Sequence, residues 1–563
     1  MVTQPLDKIT IEVIRNYLIT VADEMKKVIE RTSMSPIIYE VLDFSTGVFT
    51  RDAKLIGQAA GLTMFLGTLD LAVEAALHKF GVEGLQPGDL IITNDPYVGG
   101  GTHLNDVVCI SPIFYEDQLV GFGAVRSHWI DLGGKVPFSQ MSDATEIFQE
   151  GLLFPIIKLY EAGVRNEALY EVIRANVRIP DSVAGDLQSQ VAACRIAERR
   201  LVEIVALWHG ALKKQCNLLW TTRNSRCAVQ SVESPTASTT VKILPMRPDP
   251  MGRQSVFVFK WTSKTTQLPL TSPAPTRRRR HSFNQGWGAL LSCCRAMLKS
   301  ITTPQDPTND GSFRPLHVVA PAGTCPNVSK PSPVCMYGEL GMHVMDAMWR
   351  ALAPVMPDQL PAGHYSTVAA QGFAGYDTAT DPPSFFMFGG PNGGGWGAGK
   401  NWDGENALIC LGDGDTRSTP MEIIEAKYPI KIVKYELIPD SGGAGQFRGG
   451  LGLSVVYQLL RGEQLSAVFV CGRCKFPAFG LFGGHDAITS EIYITRDGRR
   501  GPCTCQAAGL PLQVGDMITV NAGGGGGYGD PSLRDPALLQ RDITLGYISP
   551  ERAREVYGFE HVN

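Results

Sequence analysis

Residues Asn94 to Asp131, NDPYVGGGTHLNDVVCISPIFYEDQLVGFGAVRSHWID, decide how the rest of the chain is arranged. Asn94-Asp95-Pro96 ends an apolar strand, LIIT, and Gly99, Gly100 and Gly101 admit backbone conformations that a Cβ forbids, leaving room for a ligand. His103 and Asp106 stand at the mouth of a β-branched run, DVVCISPIF, which turns at Tyr115-Glu116-Asp117 and returns as QLVGFGAVRSHW. A hairpin centred near Glu116 and Asp117 pairs residues whose numbers sum to about 233, which sets His128 opposite Asn105 or Asp106. Two imidazoles and a carboxylate then converge at one end of one hairpin. Such mixed nitrogen and oxygen donors suit a divalent transition ion, zinc or manganese. Taken singly, each histidine reads first as a surface or hydrogen-bonding group; the convergence is what brings a metal site level with that reading.

The totals describe an ordinary globular chain. It has 563 residues, enough for several domains, with 44% apolar and 19% charged residues. No run is long enough to cross a bilayer, and the first residues, MVTQPLDKIT, lack the basic and apolar blocks of a signal peptide, so the cytoplasm is the expected place. Thirteen cysteines, an odd number scattered over a long chain, argue against a disulfide framework.

The net charge of −4 conceals an imbalance: Lys213 to Ser300 holds fifteen Lys and Arg against two acidic residues, so the remainder carries −17. No general basic field points to nucleic acid. Within that stretch, rich in Ser, Thr, Pro and Arg, lie four cysteines and the run Arg277 to Arg280. A linker, a nucleic-acid-binding insert and an out-of-frame translation compete as readings. A linker of this length is unusual in a compact protein, and the basic residues neither order on a helix face nor alternate with aromatics. The abrupt change of composition, and its abrupt end, favour translation out of frame.

On the N-terminal side, three-to-four spacing of Ile11, Ile14, Leu18, Ala22, Met25 and Ile29 predicts a helix over Ile9 to Arg31. Two short strands follow around Arg51-Asp52, preceded by Glu40 and Asp43, either of which is a candidate fourth ligand or a turn carboxylate. A helix is expected over Thr68 to Phe80, ended by Gly81. Glu146 and Glu150 stand at helical spacing in ATEIFQEG, and a long helix is expected from Ser182 to His209, ended by Gly210.

On the C-terminal side, Gly338 to Leu352 reads as a helix in which His343 packs rather than ligates. Gly394 and Gly399-Lys400 meet the letter of a phosphate loop, but Asn401 follows where a hydroxyl belongs and WDGEN starts no helix. Apolar strands separated by glycine turns then predict a β-rich region. Cys471, Cys474, Cys503 and Cys505 could be assembled into a zinc site, but the second pair has the wrong spacing, and unrelated core thiols fit better. A short helix is expected at the end, with Ser549 as cap and Pro550 in its first position.

These motifs resemble the hydantoinase B and oxoprolinase family, which includes the B component of N-methylhydantoinase and the corresponding components of acetone and acetophenone carboxylases. NDPYVGGGTHLNDV, RSHWIDLGG, ATEIFQEG, GDTRSTPMEIIEAKYP, PDSGGAGQFRGGLG and GGGGGYGDP carry the resemblance, over Ile9 to about His209 and Asp310 to Tyr557. The middle departs from it: relatives have a strand segment with an acidic DFTG-like turn where this chain has its basic stretch.

The resemblance implies a subunit of an ATP-dependent amidohydrolase that opens a lactam or cyclic imide, such as 5-oxoproline or a hydantoin. It works with a hydantoinase A-like partner that binds the ATP, in a hetero-oligomer. It further implies His103, Asp106 and His128 as metal ligands with Asp43 as a fourth; Asp131, three residues past His128, reads either as a residue that orients a ligand or takes a proton or as a turn carboxylate before Gly133. A carboxylase subunit joining bicarbonate to a ketone and a non-enzymatic scaffold are the alternatives. The expected architecture is α+β and multidomain. A mixed α/β region with a β-hairpin metal site occupies residues 1–212, an aberrant basic segment 213–300, and a glycine-rich, β-rich region 301–563.

Overall fold

The computed structural model describes residues 8–221, 239–243, 257–261, 267–269, 282–314 and 316–559. Helix α1, Lys8–Thr32, forms as its spacing predicts and buries Ile14, Leu18, Met25 and Ile29. Strands β1 (Phe44–Thr50) and β2 (Leu55–Gln58) pair across the turn at Arg51-Asp52. After helix α2 (Leu69–Phe80) come β3 (Leu90–Thr93), β4 (Asp106–Tyr115), β5 (Gln118–His128), β6 (Ile157–Glu161) and β7 (Val164–Arg165). They form one antiparallel sheet in the order β2-β1-β5-β4-β3-β6-β7.

Both faces of this sheet are covered, which is why β4 reads as a nearly unbroken apolar run. Val107, Cys109 and Ile113 share a core with α1 and with α3, Pro180–Thr221. Val108 and Ile110, pointing the other way, share one with α2. The β4–β5 hairpin turns on Glu116 and Asp117, both left-handed with φ of 47° and 57°, as a two-residue loop that follows the strand twist requires. Partner numbers sum to 234 from Asp106 opposite His128 to Ile113 opposite Gly121; a bulge at Phe114 then lowers the sum by one. The extra residue of the bulge is the difference between this register and the symmetric estimate.

Three expectations are corrected here. Helix α3 does not stop at Gly210 but runs to Thr221, since one interior glycine costs only about 1 kcal/mol. Ile147–Gln149 is a single 3-10 turn, not part of a longer helix, with exposed Glu146 at its head and Glu150 buried behind it. The last part of the basic segment is an ordinary packed helix, α4 (Trp287–Thr302), which buries Leu290, Cys293, Cys294 and Met297. Its apolar stripe is hidden when composition is averaged over the whole stretch. Arg277 to Arg280, with residues 222–238, 244–256, 262–266 and 270–281, lie outside the described residues.

Helix α5, Tyr337–Leu352, introduces the second half. Strands β8 (Ala370–Asp377), β9 (Ser384–Gly390), β10 (Ile430–Leu437), β11 (Leu453–Leu459), β12 (Glu463–Val470), β13 (Glu491–Arg496), β14 (Arg499–Arg500), β15 (Gln506–Pro511) and β16 (Met517–Asn521) follow. They build two sheets, β9-β8-β12-β15 and β10-β11-β16-β13-β14. Met342, Met345, Phe373 and Phe469 share a core with Met64 and Phe65 from the first half, so the chain's two ends of sequence meet in one apolar mass.

The glycine runs at 394–397, 442–450 and 523–527 are not turns. They stack backbone on backbone: Gly395 N donates to Gly523 O (2.9 Å), Gly443 N to Gly525 O (2.8 Å) and Gly525 N to Gly450 O (2.9 Å). A Cβ on Gly525 would stand 1.9 Å from the Trp396 carbonyl oxygen, so the approach itself demands glycine. Cys474 and Cys505 are joined by a disulfide, contrary to the expectation of unrelated thiols. Helix α6, Pro550–Tyr557, closes the described chain, and Ser549 caps it by accepting from Arg552 N (3.1 Å). Among the described residues no helix is long and apolar enough to cross a membrane.

Candidate metal and proton-transfer site

The hairpin's register sets Asp106, first in β4, beside His128, last in β5. His103 reaches the same point from the preceding turn, closed by a bond from Asp106 N to His103 O (3.2 Å). Nε2 of His103 is 2.8 Å from Asp106 Oδ1, Nδ1 of His128 is 3.0 Å from that oxygen, and the two ring nitrogens are 3.1 Å apart. All three side chains are buried.

Neighbouring groups fix which donor atoms are bare. Nδ1 of His103 lies 3.0 Å from the Cys335 carbonyl oxygen, which only accepts, so Nδ1 carries the hydrogen and Nε2 presents a lone pair. Asp106 Oδ2 accepts from the Thr102 hydroxyl (2.5 Å) and the Tyr337 hydroxyl (3.0 Å), leaving Oδ1 toward the imidazoles. A bare nitrogen 2.8 Å from a carboxylate oxygen sets lone pair against lone pair, which a cation between them relieves. Asp43 stands beside the group: Oδ2 is 3.9 Å from His128 Nδ1, and its buried Oδ1 has no hydrogen-bond partner. The residues present therefore fit a divalent ion, with the orienting outer partners such sites need.

The electrostatics agree. Burial alone would raise Asp106; with no ion between them it is protonated imidazoles, His103 first and then His128, that hold its carboxyl far below the usual range, a role a cation takes over when the rings are neutral. Burial lowers His128, with Asp106 opposing, which favours the neutral imidazole that binds metal. Burial, then the charges of Asp106 and Asp413, push Asp43 well up.

These groups form one wall of a cavity of about 130 Å³, room for several waters or a small ring. The facing wall holds Tyr337 and Glu339 from the first turn of α5, together with Asp413; Phe65, Phe138 and Val468 are among its apolar lining. Burial raises Glu339 to about 7, and it raises Asp413 to about 6 with Asp106 adding to the shift.

Other expected residues lie elsewhere. Asp131 is buried but does not line the cavity. Its carboxylate accepts from Arg178 Nη1 (2.7 Å) and Arg178 N (2.8 Å), fastening the loop after β5. The glycine loop makes room for a helix rather than a ligand: a Cβ on Gly288 of α4 would lie 2.5 Å from Gly100 Cα. Glu40 ends the short helix Pro36–Tyr39 and does not itself line the cavity. Glu150 accepts from Val334 N and Cys335 N, both at 2.9 Å, and so braces the loop whose carbonyl orients His103. His343 is half-buried on α5 and does not line the cavity. Lys400 is exposed and paired with Asp358 (2.5 Å), and no helix follows it.

Tyr337, Glu339 and Asp413 were not singled out from sequence. Tyr337 and Glu339 look like any helix start, but Asp413 sits in GDGDTRSTP, where acids between glycines serve no apolar pattern.

Comparison with known proteins follows the same lines. The sequence matches the family described as Hydantoinase B/oxoprolinase over residues 7–531. It is 31% identical to the beta chain of the caprolactamase of Pseudomonas jessenii, over 98% of this chain and 96% of that one. The B component of a putative D-/L-hydantoinase from a Pseudomonas species is 30% identical, over 98% and 95%. The crystal structure of the ATP-dependent caprolactamase from P. jessenii superposes with a TM-score of 0.91 at 27% identity, covering 100% of this chain and 97% of that one. Nucleotide-free acetone carboxylase shares the fold, with a TM-score of 0.81 at 18% identity over 97% and 79%.

Proposed function

Because the chain belongs to the hydantoinase B/oxoprolinase family, we propose that it is the ring-opening subunit of an ATP-dependent amide hydrolase, acting with a hydantoinase A-like subunit that holds the ATP. Relatives named as components of multi-subunit enzymes support the hetero-oligomer. The observation that carries the reading is the convergence of His103, Asp106 and His128 on the lining of one cavity.

His103, Asp106, His128 and Asp43 would hold zinc or manganese. Such an ion supplies positive charge that polarises an amide oxygen and makes water more acidic. The chain's own residues do the rest. Asp106 stays charged; Tyr337 and Thr102 keep its second oxygen occupied; the apolar lining excludes bulk water and strengthens each polar contact inside. Asp131 we assign to positioning the loop after His128 through Arg178, not to proton transfer.

The lining also selects among ring substrates. It contains four carboxyl groups, Asp43, Asp106, Glu339 and Asp413, and among the described residues no lysine or arginine. A substrate with its own carboxylate, such as 5-oxoproline, meets no side-chain cation there, whereas a neutral lactam or imide does not need one. The test is ATP-dependent opening of caprolactam, a hydantoin and 5-oxoproline by the chain purified with its partner. Ketone-dependent fixation of bicarbonate with no ring opening would replace this reading by the carboxylase one.

A further inference from the structure

Glu339 faces the cavity with one oxygen tied and one idle. It is 1% exposed, in the first turn of α5, two residues beyond the tyrosine that holds Asp106. Oε1 accepts from the Thr367 hydroxyl (2.9 Å) and from Val368 N (3.0 Å). Oε2 is buried without a hydrogen-bond partner. The residue across from it is glycine: a Cβ on Gly472 would stand 2.6 Å from Oε2. Gly472 N instead donates to the Thr367 hydroxyl (2.7 Å), so the same loop that clears the space also locks the clamp on Oε1.

A carboxyl fixed in this manner is suited to proton transfer. The tied oxygen sets the rotamer, and the idle one is free to carry a proton to a group bound in the cavity that Glu339 lines. The groups that act on it are Asp413 and the Arg473 guanidinium by charge, and Val368 N–H and the Thr367 hydroxyl by hydrogen bond. Burial outweighs them and brings it to about 7, where both protonation states are populated in neutral solution.

We propose that Glu339 is the proton donor that releases the ring nitrogen, an inference that rests on the amide-opening reading above. Water's oxygen bonds to the carbonyl carbon and water gives up one proton. The C–N bond breaks, its electron pair passes to nitrogen, and the Oε2 proton makes that nitrogen an amine. The proton given up by water restores the carboxyl, so water is the only co-reactant of this step.

The test is Glu339→Gln in the chain assembled with its partner. Glutamine keeps the acceptor for Thr367 and Val368 and removes only the acid. With caprolactam, kcat should fall about 10² to 10³-fold, with KM and metal content unchanged. A hydantoin, whose nitrogen bears a second carbonyl and leaves more readily, should lose at least about tenfold less, since good leaving groups need less acid help. The wild-type rate should decline as pH rises through about 7, because the active form is protonated, and that decline should vanish in the variant. Glu339→Asp, which keeps the acid, should recover part of the caprolactam rate. Equal losses on both substrates, unaltered kcat, or a loss that follows metal content overturns the assignment. A wild type that opens neither ring overturns the functional reading and this one with it; a normal wild type beside an indifferent Glu339→Gln overturns this one alone.

Discussion

The cavity's two walls use the same side chain in opposite states. On the hairpin wall, Asp106 is buried yet stays charged because two imidazoles and two hydroxyls meet it. On the helix wall, Glu339 is as fully buried and Asp413 is half-buried; neither accepts from an imidazole, and burial lifts both toward neutral pH. Burial is common to all three; only the neighbours differ. The difference shows how one pocket can contain a fixed negative charge for a cation and, a few side chains away, a carboxyl free to trade a proton.

The sharpest way to break the contrast is to remove the charge on the hairpin wall. Asp106→Asn should bring bound metal to background and lower turnover by more than about 100-fold, beyond what loss of an outer partner costs. Metal analysis of the purified complex, beside a rate measurement, checks it. Tyr337→Phe tests whether the helix wall steadies the hairpin wall: it removes one donor to Asp106 Oδ2, and metal affinity should fall about 10 to 100-fold in competition with a chelator.

Asp131→Asn lies behind both walls. It should leave kcat within about twofold while lowering the melting temperature by about 2 to 4 °C, as expected for roughly 1 kcal/mol lost with the Arg178 contact. The smallest effect belongs to Glu150, which burial raises to about 8. Because its folded value is above its unfolded one, its contribution to stability is full below about pH 4.5 and is lost as pH rises through 8. Glu150→Gln should therefore melt about 2 °C above wild type at pH 8.5 and level with it near pH 4.

The hairpin wall was legible because everything in it is local. A β-branched run, a two-residue turn and an antiparallel register carry His128 to Asp106 with an error of one residue, and that residue is the bulge at Phe114. The helix wall was not. Tyr337, Glu339 and Asp413 reach the cavity from more than 200 residues away, through a core that joins Phe65 to Met342 and Phe469, and no spacing announces such a meeting. Asp131 misled because an acid three residues beyond a ligand looks chemical, whereas Arg178, nearly fifty residues on, claims it. Gly210 misled for a weaker reason: a single glycine is a frequent helix end but a small obstacle to one with turns on either side.

The stacked glycines of 394–397, 442–450 and 523–527 bear on heredity as well as architecture. Apart from synonymous third-base changes, nucleotide substitutions in a glycine codon introduce a side chain or a stop, and here no space exists for even one carbon. None of these glycines lines the cavity. A growth-based mutational scan would therefore mark them as indispensable as the histidines, and only a measure of how much folded protein survives would tell the two kinds of loss apart.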